Sequence, residues 1–313
     1  MCDVVAHADD LLVSYSDGEL NHVALDGAWR RRIREGGQDL ATTRIVGVRD
    51  DEVVLWGWEE IEALDLQTGA LRWSLEAGHS LDMDAGTCVA FGGHVLLPNG
   101  WPLDLAARGW GAVDDGDVAI LERASARAVD REGVLLGTWD GELFRWRPGS
   151  GCARVGAVDG PVCGLLSDER GLALVLDGGR VVTEDHEHSF ELELRRGDPR
   201  ARYYPSWPAW PMLRRVGDAL LVVANDRDVC FAATCLSGVA LFRGAEALYR
   251  GEQRGMSILP EGDAPVALVP GAALVAPEMR RVELPGVLPS AACVHRGVLA
   301  IGTQGGDLLH LAL

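Results

Sequence analysis

The segment Glu184-Asp185-His186-Glu187-His188 sets two histidines at i and i+2. On a strand such residues share a face, so the pair could hold a metal ion, with acidic neighbours completing the donor set. The competing reading is a polar surface hairpin, and no third ligand is identifiable, so no metal site is assigned. Cys230-x4-Cys235 lacks zinc spacing and reads as small residues on a buried strand. There is no GxSxG, and His7, His22, His79, His94, His295 and His310 fall at ordinary strand or turn positions, which assembles no Ser-His-Asp triad. The carboxylate pairs Asp9-Asp10, Asp50-Asp51, Glu59-Glu60 and Asp114-Asp115 read mostly as inter-strand turns. Among 47 acidic residues such pairs arise by chance, which leaves a glycosidase reading weak. No catalytic residue and no cofactor is assigned.

All 29 basic residues are arginine. Without lysine there is no Schiff-base amine, no lysine general base and no phosphate-gripping P-loop lysine. The bland explanation is the codon bias of a GC-rich genome; the exclusion stands either way. The net charge of −18 argues against general nucleic-acid binding, where phosphate neutralisation supplies much of the affinity.

The segment 202–211 concentrates Tyr203, Tyr204, Trp207 and Trp210 between prolines. Rigid aromatics of this kind anchor protein interfaces, so these four are the candidate partner-binding residues. The alternative is that the loop folds back and packs its rings against the body of the protein. The arginine runs Arg30-Arg31-Arg32 and Arg195-Arg196 are expected on exposed strand edges, where charge discourages edge-to-edge pairing; either could dock an acidic partner.

The elements that carry these residues are hairpins. Helical periodicity is scarce, and most segments are short Val-, Leu- and Ile-rich runs broken by Gly, Asp, Asn or Pro. Hairpin turns are expected at Asp17-Gly18, Asn99-Gly100, Asp140-Gly141, Asp177-Gly178 and Gly305-Gly306, as two-residue loops with positive φ at both central positions. The steps from Gly18 to Gly100, Gly141 and Gly305 are 82, 41 and 164 residues, all multiples of 41. Such a period is the mark of four-stranded blades stacked around an axis.

The expected fold is therefore an all-β single β-propeller spanning 1–313. It has about eight, alternatively seven, mostly four-stranded antiparallel blades. Five units are drafted at 3–34, 42–76, 83–122, 126–158 and 162–195, and two weaker ones near 212–243 and 256–285. A last unit at 291–313 ends before any fourth strand. The proline-rich 196–211 reads as an inserted loop.

One motif points to a family. Residues 63–73, ALDLQTGALRW, fit A-x-D-x-x-T-G-x-x-x-W, with weaker echoes at 24–29 and 103–110. The chain here resembles the quinoprotein-like (PQQ-like) repeat propellers. Asp65 and Thr68 would satisfy turn backbone groups, Gly69 would supply positive φ, and Trp73 would pack against a neighbouring blade. Eight-bladed members of that family include periplasmic dehydrogenases and the scaffold lipoprotein of outer-membrane protein assembly. This chain lacks the vicinal cysteine pair of the dehydrogenases, their length and an export signal, and it lacks a lipobox cysteine. The resemblance implies the fold and no quinone cofactor. A WD-repeat (WD40-like) reading is weaker, because Trp139-Asp140 falls in a hairpin turn and no Gly-His partner precedes it.

The seven scattered cysteines form no CxxC, and no apolar run reaches membrane-spanning length. With no visible secretory leader, the expectation is a cytoplasmic protein with reduced thiols. The favoured function is a non-enzymatic scaffold or regulatory subunit with a protein partner, without nucleic-acid or membrane contact. The alternative is an enzyme or small-ligand binder that uses the central channel.

Overall fold

Leu11-Leu12-Val13 shows why the apolar runs are continuous instead of alternating. In the strand Asp10–Ser14 all three side chains are fully buried. Leu11 and Val13 pack with Ala291, Cys293 and Ala300, while Leu12 packs with Val53, Leu55 and Leu64. A strand lies between a neighbour on each face, so both of its faces must be apolar. The same division recurs in Gly171–Leu176, where Ala173 and Val175 face Leu220 and Val222, and Leu174 and Leu176 face Leu135 and Val162. Each such side chain contributes about 1.5–3 kcal/mol of burial.

The computed structural model describes residues 3–37, 44–49, 51–57, 60–76, 88–97, 100–189, 212–225 and 236–313. Within them the strands form eight sheets, seven with four strands and one with three. Eight units, the favoured count, is the number found. The chain divides into two compact units. One holds the sheets at 3–34, 44–76 and 266–283 and the C-terminal sheet; the other holds those at 89–110, 124–157, 162–189 and 212–254. Boundaries drafted from the repeat agree closely for the first, second, fourth and fifth units, whereas the third sheet ends at Trp110 and the sixth extends past 243 to include Glu246–Arg254 as its outer strand.

The expectation for the hairpin turns needs correction. Gly18 donates to the Tyr15 carbonyl at 3.0 Å and Tyr15 to the Glu19 carbonyl at 2.9 Å, which makes a three-residue loop. Only the glycine has positive φ, +85° at Gly18 and +79° at Gly141, while Asp17 and Asp140 do not. The geometry is a turn closed by a left-handed glycine, in which aspartate needs no unusual backbone. By the same bond the equivalent glycines at the later turns are Gly179, bonded to Leu176, and Gly306, bonded to Thr303. The step that ends at the last turn is thus one residue longer than four periods. Turns with two successive positive φ do occur, at Gly178-Gly179 between the second and third strands of the fifth sheet, and between first and second strands at Gly92-Gly93 and Arg296-Gly297.

The C-terminal sheet has a fourth strand from an unexpected source. Glu261–Gly262, drafted as part of the preceding unit, pairs in parallel with Pro289–His295, in the register Glu261 to Cys293 and Gly262 to Val294. Among the described residues the first and last sheets exchange no strand. They meet through Val4, Leu11, Val13, Ala291, Cys293 and Ala300, through His295 Nε2 and the Ala8 carbonyl at 2.7 Å, and through an Arg296–Asp9 ion pair.

The residues 114–123, drafted as turn and strand, contain an α-helix, Asp115–Arg123. Asp114 caps it by accepting from the Asp117 backbone N–H at 2.8 Å. Asp117, buried, in turn accepts from the Cys152 N–H at 2.8 Å and ties the helix to the strand Gly151–Ala157. The sequence signal was present: an aspartate cap, an acid three residues later, an apolar run and Arg123 in the last turn.

Candidate partner-binding surface

The four aromatics Tyr203, Tyr204, Trp207 and Trp210 lie outside the described residues, as do 196–211, Arg195, Cys230 and Cys235. The histidine pair is described, with ring centroids 6.4 Å apart and planes tilted by 50°. His186 sits in the turn, where its carbonyl accepts from the Thr183 N–H at 2.8 Å; only His188 lies on the strand Glu187–Ser189. The His188 ring is 8% exposed and stacks on Phe242 at 4.3 Å, with 17° between planes. Among the described residues no three His, Cys, Asp or Glu side chains are grouped to hold a metal ion.

Burial lowers the His188 pKa below its ordinary 6.5; the Gly244 carbonyl partly offsets this, and His186 and Arg250 add to the lowering. The unfolded chain therefore takes up this proton first as pH falls. The stability that depends on neutral His188 is complete above about pH 6.5 and is lost as pH drops below it. Urea midpoints at about pH 7.5 and about pH 5.5 should show a decrease that His188→Phe reduces. An unchanged decrease in that variant would assign it to other groups.

The motif turn behaves as its residues require. Asp65 Oδ1 accepts from the N–H groups of Gln67 and Thr68 at 2.8 and 2.7 Å and from the Thr68 hydroxyl at 2.9 Å. Arg72, followed by those Thr68 bonds, holds the Asp65 carboxyl well below the usual carboxylate range. The echoes fold alike: Asp104 accepts from Ala106 and Ala107, both at 2.9 Å, and Asp26 from Ala28 at 2.9 Å. These aspartates, then, build turns. The run Arg30-Arg31-Arg32 does lie on an outer strand, Trp29–Arg34, with Arg30 beside Asp10 at 3.6 Å, Arg32 beside Glu19 at 3.5 Å and Arg31 bonded to the Gln67 carbonyl. Its charges are already used at home.

An exposed aromatic surface was not anticipated at the helix. Trp101 follows the Gly100 turn and is 38% exposed, although Pro102 and Leu103 beside it are buried. Its ring meets Trp110 edge-on, centroids 6.2 Å apart and planes at 66°. Gly100 has φ +91°, and a Cβ there would stand 2.7 Å from the Leu121 backbone carbon, so only glycine lets the helix sit this close. Trp101, Pro102, Val113, Val118, Leu121 and Glu122 pack turn against helix with no room for a water molecule between them. Trp101 is visible in the sequence, but its place against the helix is not.

No family model matches the chain, and no curated protein is similar to it. Solved structures are. The computationally designed protein Ika8 aligns with a TM-score of 0.65 and 12% identity over 100% of this chain and 96% of its own. BamB from Moraxella catarrhalis aligns with a TM-score of 0.63 and 15% identity over 99% and 96%. The β-propeller domain of Cps50 (Swd1) from Myceliophteria thermophila gives 0.51 and 11% over 100% and 96%. At these identities the likeness shows the fold. This chain is an all-β propeller, with eight blades and one short helix among the described residues.

Proposed function

We propose that this chain is a non-enzymatic, cytosolic interaction propeller, a scaffold or regulatory subunit that holds a protein partner. The observation that carries this reading is the exposure of Trp101, 38% open to solvent beside the helix Asp115–Arg123. Exposed tryptophans are among the residues in which interfaces concentrate their binding energy. The likeness to BamB and to the Cps50 propeller domain lends support at the level of fold only.

Tagged protein expressed in its native host, crosslinked and sedimented, should run as a defined complex with a stoichiometric partner in the cytosolic fraction. A single monomeric species under several growth conditions would sink the reading.

A further inference from the structure

The C-terminal sheet ends on an open edge. Its fourth strand, Glu261–Gly262, lies on the far side of Pro289–His295, so among the described residues Leu308–Ala312 has a neighbour only in Val298–Thr303. In the first sheet the corresponding strand, Leu20–Ala24, is covered by Trp29–Arg34, and Leu20, Asn21, Val23 and Ala24 are buried. Aligned on the turn glycines Gly18 and Gly306, the two strands read LNHVA and LLHLA. The uncovered strand is the more apolar, yet none of its five residues is buried. Thr303 donates to the Asp307 carbonyl at 2.9 Å and Leu313 to the Gly297 carbonyl at 2.8 Å, so Asp307, Leu309, Leu311 and Leu313 bond inward. Leu308, His310 and Ala312 therefore turn three N–H and three carbonyl groups outward, as Ala24 does where it donates to Ala28 at 2.9 Å. Leu308 packs toward the first sheet with Tyr15 and Leu25, which leaves Leu309 and Leu311 together on the opposite face.

Free edges normally carry a guard, because an unguarded one pairs with other chains. The other outer strands are guarded. Charged residues sit on Trp29–Arg34, Leu71–Glu76, Gly151–Ala157, Glu187–Ser189, Glu246–Arg254 and Arg280–Glu283. Register shifts also interrupt the pairing of the first, second, third and fifth of these. Gly109–Trp110 is only two residues long. Leu308–Ala312 holds no acid, arginine or proline and runs in unbroken register. Charge selects the occupant: a charged edge laid here would set its charges against leucines. The described edge that matches this one is its own.

We propose that Leu308–Ala312 pairs antiparallel with the same strand of a second copy of this chain, about a two-fold axis at His310. Leu308 then exchanges hydrogen bonds with Ala312 of the second copy and His310 with its counterpart, which satisfies every outward group. Leu309 stands opposite Leu311 of the second copy in the pairs where side chains approach most closely, so four leucines close over the joint. Such a contact is complete at two copies and leaves no edge for a third. It goes beyond the interaction reading above and does not depend on it.

Sedimentation velocity of the whole chain at rising concentration should show monomer giving way to dimer. Ala312→Pro deletes an outward N–H and spares the inner ladder, so the melting curve should not change. It should weaken the dimer about tenfold or more, since two hydrogen bonds are lost across the axis. Leu309→Arg and Leu311→Glu should each be monomeric alone and should dimerise when mixed, because the register sets the new arginine opposite the new glutamate. Should either leucine variant fail to fold, the proline variant decides by itself. A chain that stays monomeric throughout, a dimer indifferent to Ala312→Pro, or folded leucine variants that do not combine overturns the proposal. A strand of a different protein on this edge, with the chain itself monomeric, overturns it too.

Discussion

Replacing Gly69 by alanine should cost about 3 kcal/mol or more, read as a fall in the urea midpoint at constant slope. Two effects add. The backbone at Gly69 has φ +73°, which costs an L-residue roughly 1–2 kcal/mol. A Cβ there would also overlap the carbonyl oxygen of Ile33 in the outer strand of the first sheet. Backbone cannot move aside as a flexible side chain would, so the two sheets must separate locally. Gly178 provides the control. Its φ is +81°, yet a Cβ would meet nothing within 4 Å, so Gly178→Ala should lose only the conformational part, about 1 kcal/mol. Similar losses at the two sites would show that the contact with Ile33 carries no weight.

Trp56 should separate volume from polarity. It is fully buried at the end of the strand Glu52–Trp56, paired with Arg44 and Ile61, and its indole N–H has no hydrogen-bond partner among the described residues. Trp56→Ala removes a large core side chain and should cost about 3–5 kcal/mol. Trp56→Phe keeps most of the volume and deletes the unsatisfied donor, whose burial costs about 1–3 kcal/mol. The phenylalanine variant should therefore stay within about 1 kcal/mol of wild type, the smaller ring's void offsetting the relief. A loss as large as that of alanine would mean the indole N–H is satisfied in solution.

The fold class was legible because repetition multiplies a weak local signal. A glycine turn between two aliphatic runs says little once, and a recurrence near 41 residues says that one supersecondary unit is stacked. The Asp65-x-x-Thr68-Gly69 turn was legible for a related reason. Its bonds run between residues two and three apart, so the residue types by themselves dictate the geometry. The helix Asp115–Arg123 was written as plainly in its cap and apolar run, but it stood alone in a field of strands and was read as one of them.

What local pattern determined, then, was the eight-unit architecture, most strand boundaries and the turns that join them. Tertiary structure alone decided which chemistry those residues keep. His186 and His188 lie two apart in sequence, yet Phe242 from the next sheet stacks on only one of the two rings. Glu261–Gly262 leaves its own unit because its open hydrogen bonds find the edge of Pro289–His295. Trp101 lies against the helix because Gly100, with no Cβ, lets the Leu121 backbone approach. Each outcome depends on contacts across many residues of chain. Side-chain spacing along a strand cannot encode them, since burial and pairing are settled by whatever the neighbouring sheet presents.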